Sequence, residues 1–384
     1  MSGGAWGIVA FVATILVMTT VHEFGHFLAA KRFGMKVEEF FVGFGPRLVS
    51  KRKGETEYGI KFILLGGYVK IAGMNPWQTV PESEVPRTYG AKPAWQRAIL
   101  LCAGSATHLV LATLMLWALF GAVGISSPTT KLASVQQELR ISEDEVVEAP
   151  ARAAGLESGD RITTINGVKV ERWEQFQRVV RASAGKEVTI GVERKGDSLE
   201  FLLTPVAARA LDAEGREMTV GLVGVNAGSE RDALPPHTAF WEATKTTGGL
   251  VVESVKVIGK VFSPAGIGRI FSSLTGSGQR EIDQPIGLVG AGRIAGQAAS
   301  GGEIESLIFL LSSFVVIVGV ANMLPLPPLD GGHLLLLLIE RVRRKRIDLR
   351  KVVPVAVLVI GFFLLIFVAL LYLDIVRPVT NPFQ

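Results

Sequence analysis

Residues 5–30 form one long apolar run interrupted by three ionisable side chains, His22, Glu23 and His26. A run of that length crosses the roughly 30 Å hydrocarbon core of a bilayer as a helix rising 1.5 Å per residue. Hydrocarbon offers the backbone no water, so helix is the conformation that satisfies its N–H and C=O groups within one segment. On this helix His22 and His26 stand at i and i+4 on one face, the spacing at which two imidazoles chelate one Zn²⁺. Glu23, one position on, is placed to take a proton from a water activated by that ion. Ionisable groups are costly at this depth, so their presence inside a span marks a functional site.

The rest of the chain agrees with a membrane protein. Mean hydropathy is +0.38, and three further stretches, 98–123, 306–324 and 352–373, are long and apolar enough to span. The fold class expected is a polytopic α-helical membrane protein with four transmembrane helices. The first span lacks a preceding positive charge and is followed by Lys31 and Arg32, so it is expected to be retained and not cleaved as a secretory signal.

Charge sets the expected orientation. Residues 31–97 carry twelve Lys and Arg against six acids, and Arg341, Arg343, Arg344, Lys345, Arg346, Arg350 and Lys351 crowd the loop before the last span. Both loops are expected in the cytoplasm, which puts both termini outside. Residues 124–305, with twenty basic and twenty-four acidic side chains, suit a translocated domain. The net charge of +5 therefore records topology and possible contact with anionic membrane lipid, and no nucleic-acid partner is expected. The single cysteine, Cys102, falls in the second span, which excludes an intrachain disulfide and a thiolate zinc site; it is expected to be a small buried hydrophobe.

A second constellation lies at residues 322–332, where Asn322-Met323-Leu324-Pro325-Leu326-Pro327-Pro328-Leu329-Asp330-Gly331-Gly332 closes the third apolar stretch. Three prolines and two glycines cannot continue a helix, and irregular backbone at membrane depth is tolerated where it is buried in protein or lines a wet cavity. Catalytic zinc takes three protein ligands and keeps one position open, so Asp330 is the expected third ligand beside His22 and His26. An Asp-Gly-Gly turn with no metal role is the alternative.

Together, His22-Glu23-Phe24-Gly25-His26, Asn322-x-x-Pro325-x-Pro327-x-Leu329-Asp330-Gly331, Val42-Gly43-Phe44-Gly45-Pro46 and 64–74 resemble the bacterial site-2 proteases, intramembrane zinc metalloproteases. The resemblance implies a location in the bacterial cytoplasmic (inner) membrane. It implies that substrates are single-pass membrane proteins, often anti-sigma factors already cut by a site-1 protease. Asn322 matches the family's substrate-contacting asparagine. One departure stands out: where the family usually carries Gly-Pro-x-x-Asn in the second span, this chain has Gly104-Ser105-Ala106-Thr107-His108. With three ligands already assigned, His108 is expected to be a hydrogen-bonded packing residue and not a ligand.

Residues 59–74 read as a cytoplasmic, membrane-associated β-hairpin broken at Gly66-Gly67. A peptide bond inside a helix is shielded, so a substrate must be extended to be cut, and a strand edge can hold it by augmentation. Gly66, Gly67 and Tyr68 are the expected substrate-binding positions there. Residues 128–206, with Gly155-Leu156-Glu157-Ser158-Gly159-Asp160 leading into Ile165-Asn166-Gly167, resemble an inserted α+β PDZ domain. The expected order is helix 1 within 1–30, a cytoplasmic loop 31–97, helix 2 at 98–123, the PDZ domain, an extracytoplasmic linker 207–305, helix 3 within 306–340 and helix 4 at 352–373. Within the linker, 239–262 has the stripe of an amphipathic helix, expected to pack on the PDZ domain with the outer membrane surface as the alternative, and 287–302 is expected to be a flexible lead. A catalytically silent PDZ scaffold and a zinc transporter are the competing classes. Neither requires Glu23 next to His22.

Overall fold

The computed structural model describes residues 3–75, 77–141, 145–211, 217–275 and 285–379. They form two compact units, Met1–Ala122 with Leu234–Gln384, and Val123–Ala233.

In the first unit, helix α1 (Gly3–Arg32) leads into strands β1 (Val37–Lys53) and β2 (Thr56–Ile71), and helix α2 (Ala94–Ala118) follows. The strands bend so that β1 pairs twice. Segment 37–42 lies between 56–60 and 67–71, while 49–53 pairs with 56–60 on the other side. This corrects the expected hairpin: its turn lies at Gly54, and Gly66-Gly67 falls inside one strand. Gly66 has φ +129°, a conformation that lets β2 bulge instead of turning back. The sheet leaves 67–71 as a free edge.

The second unit begins with β3 (Ile125–Val135), β4 (Glu138–Arg140) and β5 (Val146–Glu148), then the short α3 (Pro150–Ala153), β6 (Arg161–Ile165) and β7 (Val168–Lys169). Helix α4 (Trp173–Ala182), β8 (Val188–Arg194), β9 (Asp197–Leu203), β10 (Val206–Leu211), β11 (Glu217–Leu222) and β12 (Val225–Asp232) complete it. The main sheet has the order β12-β3-β6-β8-β9, with β7 beside β6. Alternation along β8 sends Val188, Ile190 and Val192 into a core to which β6 adds Ile162 and Ile165, brought to one face by a register slip between Ile162 and Thr164, and which Phe176 and Val180 of α4 close. The unit runs past residue 206, because β12 pairs with β3 across some ninety intervening residues. That pairing takes 207–233 out of the expected linker.

Helices α5 (Pro236–Phe262), α6 (Pro264–Thr275), α7 (Leu288–Ser300), α8 (Ile304–Asn322), α9 (Asp330–Arg343) and α10 (Val353–Val376) return to the first unit. Two expectations change here. The stripe of α5 is buried against α2 and α8, with Thr113 donating to Thr247 at 3.0 Å, so its partners are the apolar helices. The glycine-rich segment 287–302 is a helix, not a flexible lead. Its small residues form a packing face: a methyl group on Gly7 of α1 would lie 2.2 Å from the Ala295 carbonyl oxygen. Small residues bring backbones together where apolar attraction between helices is no greater than that of lipid. Asp374 of α10 caps α7, accepting from the N–H groups of Gly287 and Gly290 at 3.2 and 2.7 Å.

Among the described residues four helices are long and apolar enough to cross a membrane, Gly4–Arg32, Ala94–Val123, Ile304–Asn322 and Leu349–Val376.

The turn of the bent sheet is clamped to the end of α1. Glu55 accepts from Lys31 at 2.8 Å and meets Arg87 at 2.7 Å. Hydrogen bonds from Arg87, opposed by partial burial and reinforced by Lys31, hold its carboxyl down to about 2. Because folding lowers this pKa, the clamp's contribution is complete above the ordinary value of 4.5 and disappears as the pH falls toward 2. Hydrogen exchange of residues 51–57 should therefore accelerate on acidification through that window. Glu55→Gln should show the faster exchange already at pH 7, and unchanged exchange in the variant would mean that the clamp does not hold the turn.

Candidate metal centre and active site

The polar centre of the first unit starts from a close crossing of α1 and α2. A methyl group on Gly25 would lie 2.5 Å from the Ala103 carbonyl oxygen, and one on Gly104 would lie 2.5 Å from His26 Nε2 and 2.6 Å from His22 Cε1. Only glycine at 104 lets α2 run flat against both imidazoles. Thr107 fastens the crossing by donating to the Val21 carbonyl at 3.0 Å. His26 is oriented by α2 as well: its Nδ1–H donates to the Leu100 carbonyl at 2.8 Å, a contact that selects the tautomer with a lone pair on Nε2.

Asp330 arrives from the opposite side. Helix α8 stops at Asn322, the Pro325–Pro328 segment carries the chain across, and α9 restarts at Asp330 itself after the extended Leu329. The expected break thus separates two helices. Its result is that Asp330 Oδ2 lies 3.2 Å from His22 Nε2 and 3.3 Å from His26 Nε2, while the two Nε2 atoms are 3.1 Å apart.

These three atoms fit zinc. Bonds of roughly 2.0–2.1 Å at tetrahedral angles separate neighbouring ligand atoms by about 3.3 Å, close to the spacings found. Among the described residues His22, His26 and Asp330 form the cluster able to hold a metal ion. Asp330 Oδ2 is buried and unmatched by a protein hydrogen-bond donor, which a cation would remedy.

Glu23 forms the adjoining wall and does not join the ligand cluster. With His22, Asp330, Asn322, Gly66, Gly67, His108 and others it lines a cavity of about 320 Å³. Its Oε2 accepts from the backbone N–H of Val69 at 2.9 Å, on the free edge of β2. Gly67 passes 3.6 Å from Glu23 Cγ, measured from where a β-carbon would stand. Asn322, the last residue of α8, lines the same cavity. Tyr68 does not: its hydroxyl donates to Glu39 and its ring stacks on Phe41 at 5.8 Å, so it anchors the sheet internally. Sequence reading also missed Val69 and Leu100, which act through backbone atoms and leave no side-chain signal. Gly104 was legible only as the glycine of the Gly-Pro-x-x-Asn pattern.

The profile of peptidase family M50 matches residues 10–368. The chain belongs to peptidase family M50. Zinc metalloprotease Rip1 of Mycobacterium bovis is 33% identical over 409 residues, covering 97% of this chain and 98% of that protein. A putative zinc metalloprotease of Agrobacterium fabrum is 29% identical, covering 88% and 86%. A solved PDZ domain, from an SdrC-like protein of Listeria monocytogenes, aligns at 22% identity and a TM-score of 0.18, over 27% of this chain and 90% of that one. The M50 enzyme described here is accordingly a zinc metalloprotease of the site-2 protease type. Its four long apolar helices make it a multi-pass membrane protein.

Proposed function

We propose that this M50 peptidase hydrolyses peptide bonds inside the transmembrane segments of single-pass membrane proteins, with His22, His26 and Asp330 holding the zinc and Glu23 acting as general base and acid. The observation that carries the reading is the convergence of three ligand atoms within 3.1–3.3 Å on apolar helices, beside a carboxylate that is not one of them. When bound, zinc supplies Lewis-acid polarisation of the scissile carbonyl and brings water within reach of a carboxylate base. Glu23 takes the proton of the attacking water and delivers it to the leaving nitrogen. Its bond to Val69 N–H holds the carboxylate toward the cavity and ties it to the strand edge.

The free edge 67–71 offers backbone partners to an extended substrate, which solves the problem of unsatisfied peptide groups in hydrocarbon. Gly66 and Gly67 keep that edge bare of side chains next to Glu23. Asn322 lines the same cavity as Glu23, Gly66 and Gly67, where its amide is proposed to bond a substrate peptide group. The second unit is read as a PDZ domain that selects substrates and does no chemistry. Substrates are single-pass proteins already trimmed on their outer side by a site-1 protease, anti-sigma factors among them. The enzyme sits in the bacterial inner membrane with residues 31–97 and 341–351 in the cytoplasm, and the termini and second unit outside.

Three measurements test this reading. Glu23→Gln should keep zinc and lose at least about 100-fold in cleavage of a model transmembrane substrate, whereas His22→Ala, His26→Ala and Asp330→Asn should lose metal as well as turnover. A Glu23→Gln enzyme that still cuts would remove the mechanism, and full zinc content in Asp330→Asn would remove the third ligand.

Orientation is checked by labelling in a Cys102→Ala background. A cysteine placed at Lys195 should react with an impermeant reagent in intact cells and one at Lys345 should not; the reverse pattern would invert the topology.

Removal of residues 123–233 should leave hydrolysis of a short substrate intact and change only the preference between trimmed and untrimmed full-length substrates. Loss of activity toward the short substrate in a protein that still binds zinc would contradict a purely selective role.

A further inference from the structure

His108 replaces the asparagine expected in the second span, and its surroundings show an imidazole with a built seat. It is 1% exposed. Nδ1 stands 3.0 Å from the Val315 carbonyl of α8 and donates to it. Below the ring α8 carries Gly319, where a methyl group would come within 2.7 Å of His108 Cβ. The Val315 contact places the proton on Nδ1, so Nε2 bears a lone pair and can only accept. That atom is sealed from solvent and has no hydrogen-bond partner among the described residues.

His22 presents the complementary defect. Its Nε2 faces Asp330 and His26 and must be free of a proton to hold a metal, which leaves the proton on Nδ1. That Nδ1 is likewise buried and without a partner among the described residues. His26 has the Leu100 carbonyl in the equivalent place. The rings of His22 and His108 abut edge-on, their centres 5.1 Å apart at 82°. A buried donor and a buried acceptor, both closed to water and on touching rings, are each other's available partner. A hydrogen bond between them requires the two rings to turn so that these nitrogens face each other.

We propose that His108 is a positioning residue for the metal centre, accepting a hydrogen bond from His22 Nδ1–H and thereby fixing the orientation and tautomer of that ligand. The relay runs from the Val315 carbonyl through His108 to His22, so α8 steadies a ligand carried by α1. It does for His22 what Leu100 does for His26. Metal-binding histidines are generally held through their second nitrogen in this way, and losing the holder weakens metal affinity about 10–100-fold. The inference rests on the ligand set proposed above.

The test is zinc affinity of the full-length protein in detergent, measured by chelator competition, with apo-protein melting and ¹⁵N-histidine NMR alongside. His108→Phe keeps the ring volume and removes the acceptor. It should weaken zinc binding about 10–100-fold with apo melting unchanged, and a hydrogen-bonded His22 Nδ1–H resonance present in the zinc-loaded wild type should vanish. His108→Gln puts an amide oxygen near the position of Nε2 and should restore most of the affinity. Wild-type affinity in a folded His108→Phe protein would overturn the proposal. So would equal losses in the Gln and Phe variants, which would make His108 itself a ligand. If His108→Phe does not fold, the wild-type resonance decides, and a His22 Nδ1–H that is not hydrogen-bonded refutes the relay. His22→Ala separates the two levels: unchanged zinc affinity there would sink the ligand set, whereas loss of zinc there with no effect at His108 would sink only this inference.

Discussion

Three lone-pair-bearing atoms, two imidazole nitrogens and one carboxylate oxygen, face one another within 3.1–3.3 Å among apolar helices. In so apolar a setting that arrangement is costly without a cation, and most of the first unit can be understood as what is needed to create it. Helix α2 comes close enough to α1 because Gly25 and Gly104 meet at the crossing. The third span has to break, because an uninterrupted α8 would carry residue 330 onward along its own axis and away from α1. The prolines at 325, 327 and 328 enforce that break, and α9 restarts with Asp330 as its first residue.

A second constraint concerns the substrate. Peptide groups in hydrocarbon need partners, and a helix about to be cut must lose its own. The bent sheet leaves 67–71 unpaired on one side, next to Glu23, and this is the edge to which the proposed function assigns the substrate. The carboxylate of Glu23 satisfies the Val69 N–H on that edge. The proposed base is thus linked to the proposed substrate edge by one hydrogen bond, and the turn at the other side of the sheet is clamped to the end of α1 through Glu55, Lys31 and Arg87.

Small residues and buried polar groups do much of the structural work. Gly7 and the glycine face of α7 replace side-chain interlocking with backbone proximity, and Asp374 satisfies the amide groups at the start of α7. The same economy places His108 between α2 and α8, bonded to Val315 and seated on Gly319. Polar side chains in this unit are therefore informative about contacts between helices as well as about chemistry.

How much of this was legible in the sequence depended on the range of the interactions. The spacing of His22 and His26 on one helix, the break at 322–330 and the four apolar runs are local patterns, and local patterns follow directly from helical period, proline chemistry and the thickness of a bilayer. They were enough to select the peptidase class and to single out His22, His26 and Asp330, whose ligand atoms the fold brings together. What needed tertiary structure was everything carried by contacts far apart in the chain or by backbone atoms. The pairing of β12 with β3, the doubled pairing of β1, the Leu100 carbonyl behind His26 and the Val69 N–H on Glu23 leave no periodic trace. The glycines of 287–302 misled for a related reason: glycine favours a flexible loop in water, but between packed helices its missing side chain is a contact surface, and only the neighbouring helix decides between the two.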